Sequence, residues 1–117
     1  MPDTIFDTKA LTTGVRPLDT TDWEYYSTPS GYKTLVKEIL FCNSSSGDMN
    51  ANLYFVPSGE VVSEQVKYFS EFPVQENTTN IASLNTVMEA GDSIHASIEV
   101  EPSGGYVNMK ISGIEIG

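Results

Sequence analysis

Apolar and polar residues alternate most cleanly near the end of the chain. Ile94, Ala96, Ile98 and Val100 alternate with Ser93, His95, Ser97 and Glu99. A period of two sends successive side chains to opposite faces of a strand, so this stretch predicts a β-strand with one buried face. Met49, Ala51, Leu53 and Phe55 alternate with Asn50, Asn52, Tyr54 and Val56 and predict a second strand. Val107, Met109 and Ile111 alternate with Tyr106, Asn108, Lys110 and Ser112 and predict a third. There Gly113 interrupts, and Ile114 and Ile116 resume one residue out of phase. A lone glycine at a phase slip predicts a bulge. The last two predicted strands follow one another across a single turn, which predicts a hairpin.

Other segments are less regular. Tyr32 to Cys42 holds Leu35, Val36, Ile39, Leu40, Phe41 and Cys42, with apolar neighbours on both faces. Leu35, Val36 and Ile39 also suit a helical period, but flanking turns and the β-branched and aromatic content favour a strand covered on both faces. In Val61 to Val74 the first half suits a helical turn and the second a strand; Asn80 to Leu84 predicts a short strand and Trp23 to Ser27 an aromatic one. Three Pro-Ser-Gly tripeptides, at 29–31, 57–59 and 102–104, predict tight turns with proline at the second position and glycine supplying φ > 0. Further turns or loops are expected at 43–48, 75–79 and 87–92. Residues 1–21 hold no period and predict an extended N-terminal arm with at most one short strand; 22–117 form the folded domain. Seven or eight strands in one open sheet would leave an apolar face wet. Two packed sheets bury both faces. The fold class is therefore all-β, an antiparallel β-sandwich, immunoglobulin-like or jelly-roll in topology.

Length and composition add limits. A chain of 117 residues with 39% hydrophobic residues makes one domain that buries roughly two-thirds of its unfolded surface without disulfide or metal. Sixteen acids against six bases give a net charge of -10. Such a surface repels phosphate, so neither nucleic acid nor an anionic membrane is an expected partner. It favours solubility, or a fit to a basic protein surface. The single cysteine, Cys42, excludes an internal disulfide and is expected to be a small buried hydrophobe. No signal peptide and no membrane-spanning run are expected, which points to a protein made and kept in a cytoplasm, or built into a particle assembled there.

No catalytic, cofactor-binding or metal-ligating set emerges. His95 is the one histidine, and its phase points outward, so it is expected to be a partly exposed, dispensable residue. Neither Ser97 nor Ser112 has the local context of an activated nucleophile. The acids of 19–22 and 47–50 lack the spacing of a calcium loop. Asn43-Ser44-Ser45 and Asn77-Thr78-Thr79 match a glycosylation pattern and indicate polar loops. The aromatics of Trp23-Glu24-Tyr25-Tyr26 suit either a sugar-binding strip or the core and rim of a first strand.

One composite pattern is more specific. It runs from Tyr26 through Pro29-Ser30-Gly31 to Thr34, then Val36 to Ile39 and Cys42-Asn43, then Leu53 to Pro57. It closes with Met88-Glu89-Ala90-Gly91-Asp92-Ser93-Ile94 and Ile111 to Ile116. The pattern, from Trp23 onward, resembles small β-sandwich virion proteins of tailed bacteriophages. The resemblance implies a non-enzymatic structural role in a virion, as capsid decoration or as a neck or tail accessory. It implies other virion proteins as partners, a homo-oligomer such as a trimer or ring, and no cofactor. The alternative is a carbohydrate- or receptor-binding module of a tail tip. Its candidate contacts, and those to partners, are Trp23, Tyr25, Tyr26, Tyr54 and Tyr106.

Overall fold

A computed structural model describes residues 6–10, 17–102 and 104–117, the first stretch as backbone only. Its strands are β1 (Phe6–Ala10), β2 (Trp23–Ser27), β3 (Lys33–Asn43), β4 (Met49–Val56), β5 (Lys67–Val74), β6 (Thr78–Met88), β7 (Ser93–Ile98) and β8 (Val107–Ile116). One 3-10 turn, Glu64–Val66, precedes β5. All strand pairs are antiparallel: β1 with β8, β2 with β7, β3 with β6, and β4 with β5. Two further ladders, β3 with β8 and β4 with β7, join these pairs into two sheets. The first sheet has the order β1-β8-β3-β6 and the second β2-β7-β4-β5. The chain is in effect folded back once about the β4–β5 connection and rolled up. That is the jelly roll, an eight-stranded double Greek key, and it decides between the two sandwich topologies the sequence allowed.

The core lies between the sheets. Val36, Ile39 and Phe41 of β3 and Val107, Met109 and Ile111 of β8 face Ala51, Leu53 and Phe55 of β4 and Ile94, Ala96 and Ile98 of β7. Phe72 stacks on Phe69 and tilts against Phe41, both at 5.3 Å. The mixed phase of β3 has a local cause. The β3–β8 register slips between Val36 and Glu38, so Lys37 is an extra residue and both Val36 and Ile39 turn inward. Leu35, Leu40 and Cys42 are then left half-buried on the outer face, so Cys42 is not a core residue and β3 is covered fully on one face only.

The bulge therefore belongs to β3 and not to Gly113. β8 keeps strict alternation throughout, with Gly113 and Glu115 inward and Ile114 and Ile116 outward. Gly113 is needed for a different reason: a Cβ there would overlap the carbonyl oxygen of Leu35. The expected β7–β8 hairpin is also absent. β7 is flanked by β2 and β4, so the chain crosses to the first sheet, where β8 pairs with β1 and β3.

Two Pro-Ser-Gly turns have a 1→4 hydrogen bond, Tyr32 N–H to Pro29 O and Glu60 N–H to Pro57 O, with Gly31 and Gly59 at φ +84. Glycine thus plays its expected part, whereas proline opens the turn and does not occupy its second position. In the third tripeptide Ser103 lies outside the described residues; Gly104 has φ +70. β6 is longer than the pattern predicted, and β4 also buries Asn52, Tyr54 and Val56 on its outer face. There β5 runs beside β4 at the sheet edge, its register shifting opposite Asn52, and Asn52 Oδ1 accepts the Glu71 N–H.

Among the described residues, the expected arm, 1–21, meets the sandwich along β1 and again from Pro17 onward. β1 pairs with β8 from Phe6↔Ile116 to Ala10↔Ser112. Leu18 is 2% exposed in the core, its N–H donating to Val107 O, while the Ile98 N–H donates to Asp19 O.

Candidate functional site

The five candidate aromatics occupy different environments. Tyr25, Tyr26 and Tyr54 are buried, at 4%, 8% and 6% exposure, while Trp23 and Tyr106 are 38% and 61% exposed. The Tyr25 hydroxyl donates to Pro17 O at 3.1 Å, holding the segment before β2. The Trp23 indole N–H donates to Asp19 Oδ2 at 2.9 Å. Tyr106 borders an open cleft of about 330 Å³ with Pro17, Leu18, Asp19, Glu101, Pro102 and Gly105. Asp19 is therefore common to the Trp23 contact and the Tyr106 cleft. Tyr25 is buried behind Pro17 of that cleft, while Tyr26 and Tyr54 stand elsewhere, against Glu115 and Lys67.

Tyr26 carries the most unusual chemistry in the chain. Its hydroxyl donates to Glu115 Oε2 at 2.5 Å and lies 2.7 Å from Thr34 Oγ1, which in turn lies 3.0 Å from Thr28 Oγ1. With the tyrosine proton given to the carboxylate, the hydroxyls run in series from Thr28 to Thr34 to Tyr26 to Glu115. Such a chain polarises each link in turn. It ties β2 of the second sheet to β3 and β8 of the first. Burial, and then the bond to Glu115, push the Tyr26 hydroxyl up to about 12 from an ordinary 10.0. The neutral phenol is thus favoured by folding. Its stabilisation is complete below pH 10 and is lost as pH rises through about 12. Alkaline melting should show a loss of roughly 2–3 kcal/mol over that window, and Tyr26→Phe should remove it. A variant with the same alkaline profile as the wild type would rule the assignment out.

His95 has the outward phase expected of it, but it is not an open surface group. Its side chain is 17% exposed. Nδ1 lies 3.1 Å from the Asp22 carbonyl, which can only accept, so Nδ1 donates there, and Nε2 lies 3.2 Å from Ser93 Oγ. Glu24 Oε1 stands 3.9 Å away. The ring pins the segment before β2 onto β7. His95→Ala should cost about 1–2 kcal/mol; a change below ~0.5 kcal/mol would make it the plain surface residue the alternation suggested.

On the same face Lys67 bonds Glu64 Oε2 at 2.9 Å and lies 5.6 Å over the Tyr54 ring. The bond to Glu64 raises the lysine's affinity for its proton, and burial raises that of the Tyr54 hydroxyl. Among the described residues no group of three or more His, Cys, Asp or Glu side chains is placed to hold a metal ion. No described helix is long and apolar enough to cross a membrane. Asn43 is fully buried: its amide donates to Gly47 O and Val74 O and its carbonyl accepts from Ser45. That asparagine is a loop staple, while Asn77 sits in an exposed turn at φ 53.

No protein-family model and no curated protein sequence matches the chain. Among solved structures, a chain in the structure of infectious bursal disease virus, Gx strain, is similar at a TM-score of 0.51 and 14% identity. The match covers 98% of this chain and 32% of that one. The structure of the Gt strain of the same virus matches at a TM-score of 0.39 and 15% identity, over 98% of this chain and 30% of that one. This chain thus spans about a third of the length of the chain it matches. At such identity the first likeness shows the fold alone.

Proposed function

We propose that this chain is a non-enzymatic structural component of a virion that works through oligomeric β-sandwich contacts with itself and with other virion proteins. The observation that carries the reading is the fold likeness to a chain of a virus structure over 98% of this sequence. The jelly roll is a common capsid architecture. The turn and strand motifs that resemble phage virion proteins support, on separate grounds, capsid decoration or a neck or tail accessory role. In this reading residues 1–21 are the arm and 22–117 the sandwich. β1 holds its place at a sheet edge by strand pairing, a position that a neighbouring copy's β1 could fill by exchange. Leu18 marks where the arm is pinned into the core.

The test is co-sedimentation. The chain should band with purified particles in a density gradient and persist after washing. Recovery only in the soluble fraction of an infected lysate would overturn the reading.

A glycan-binding role is the second reading. It rests on exposed Tyr106 at the cleft and on Trp23, which shares Asp19 with it, and jelly rolls also serve as lectins. A glycan array reading lost in Tyr106→Ala would favour it.

A further inference from the structure

The outer face of the first sheet differs from the rest of the surface in both hydropathy and charge. Leu35 lies opposite Val87 on one side and Ile114 on the other, and Leu40 lies opposite Ile81. These side chains point away from the core, and Val87 and Ile81 are 60% and 54% exposed. Among them stand Lys33, Lys37 and Lys110, all exposed and half of the chain's six basic residues. On β3, β6 and β8 the one outward carboxylate is Glu38; β6 has no charged residue, and Glu115 is turned inward. Lys33 reaches Glu89 of the neighbouring turn at 3.7 Å, and Lys37 donates to Asn85 at 2.9 Å.

The second sheet has the opposite character. Among the described residues it and the loops hold one lysine, Lys67, and no arginine, and Lys67 is already held by Glu64. Asp22 and Glu64 act on Tyr54, Glu24 stands 3.9 Å from His95, and exposed Glu71 meets Asn52 through its N–H. Tyr54, His95 and Asn52 all lie on the outer face of this sheet. One molecule thus presents a basic, apolar face and, across the sandwich, an acidic one. Two basic faces brought together would oppose lysine to lysine, and two acidic faces would repel as well. Front-to-back contact is the arrangement in which opposite charges meet.

We propose that the outer face of the first sheet docks on the outer face of the second sheet of another copy of this chain. The contact is heterologous, so it builds a ring if the rotation closes and an open array if it does not. It gives the assembling role proposed above a named surface and rests on that reading only for its biological setting.

A charge exchange tests it on the full chain by sedimentation velocity. The wild type should associate with rising concentration, and added salt should weaken that association. Lys37→Glu with Lys110→Glu makes both faces acidic; Glu24→Lys with Glu71→Lys makes both basic. Each variant alone should need about tenfold or more concentration to associate, and an equimolar mixture of the two should associate again. A wild type that stays monomeric, or folded variants whose mixture does not associate, would overturn the contact. If either charge variant fails to fold, Ile81→Asp replaces an exposed side chain and should also weaken association; wild-type behaviour there would count against the proposal. A mixture that assembles while the chain is missing from particles would overturn the virion reading and leave this contact standing.

Discussion

Ile111→Ala should destabilise the protein by about 2–5 kcal/mol, through lost burial and the cavity left behind. Ile111 is fully buried and lies opposite Ile39, which is fully buried too. A domain holds only about 5–15 kcal/mol in total, so the melting temperature should fall by roughly 10–20 °C. Ile114→Ala is the control on the same strand. Its side chain points outward and is half-buried, so the loss should be about 1 kcal/mol or less. Equal losses at the two positions would restore the bulge at Gly113 that the isoleucine pattern suggested and would contradict the inward placement of Glu115.

The second large effect concerns the N-terminal segment. A chain shortened to begin at Asp22 loses β1 and also Leu18, and leaves Val107 O and Ile98 N without their partners. Loss of the Leu18 side chain alone should cost about 2–5 kcal/mol. A chain beginning at Pro17 keeps Leu18 and those bonds and, of the described residues, loses only the edge strand. It should melt closer to the full chain, yet assemble less well if the arm is what neighbours exchange. Unchanged melting of the shorter form would mean that the sandwich needs nothing before residue 22. Unchanged assembly of the longer form would reduce the arm to a passive tail.

Much of the fold could be read from the residues because alternation and turn chemistry are local. β4, β7 and most of β8 follow from period two, and Gly31 and Gly59 adopt the positive φ that their tripeptides require. The misreadings came from non-local causes. Lys37 is an extra residue against β8, a strand distant in sequence, and a bulge in a strand blurs the very period used to find it. The apolar character of Ile114 and Ile116 predicts inward side chains. The alternation of β8 in fact carries a carboxylate inward, where a tyrosine from the other sheet receives it. That partner is 89 residues away in sequence. The same holds for Tyr25, Tyr26 and Tyr54, whose aromatic character is visible in sequence but whose burial depends on Pro17, Glu115 and Lys67. The basic, apolar face was not legible either, because it gathers single lysines from β3 and β8 that only strand order sets side by side.

The measurement closest to the central claim is absolute quantitation of this chain in gradient-purified particles by mass spectrometry, against a labelled standard. The account predicts a fixed, repeated copy number per particle. Many copies would indicate decoration; a few, set by a ring, would indicate a neck or tail position. A chain absent from particles, or present in trace amounts that vary between preparations, would contradict it.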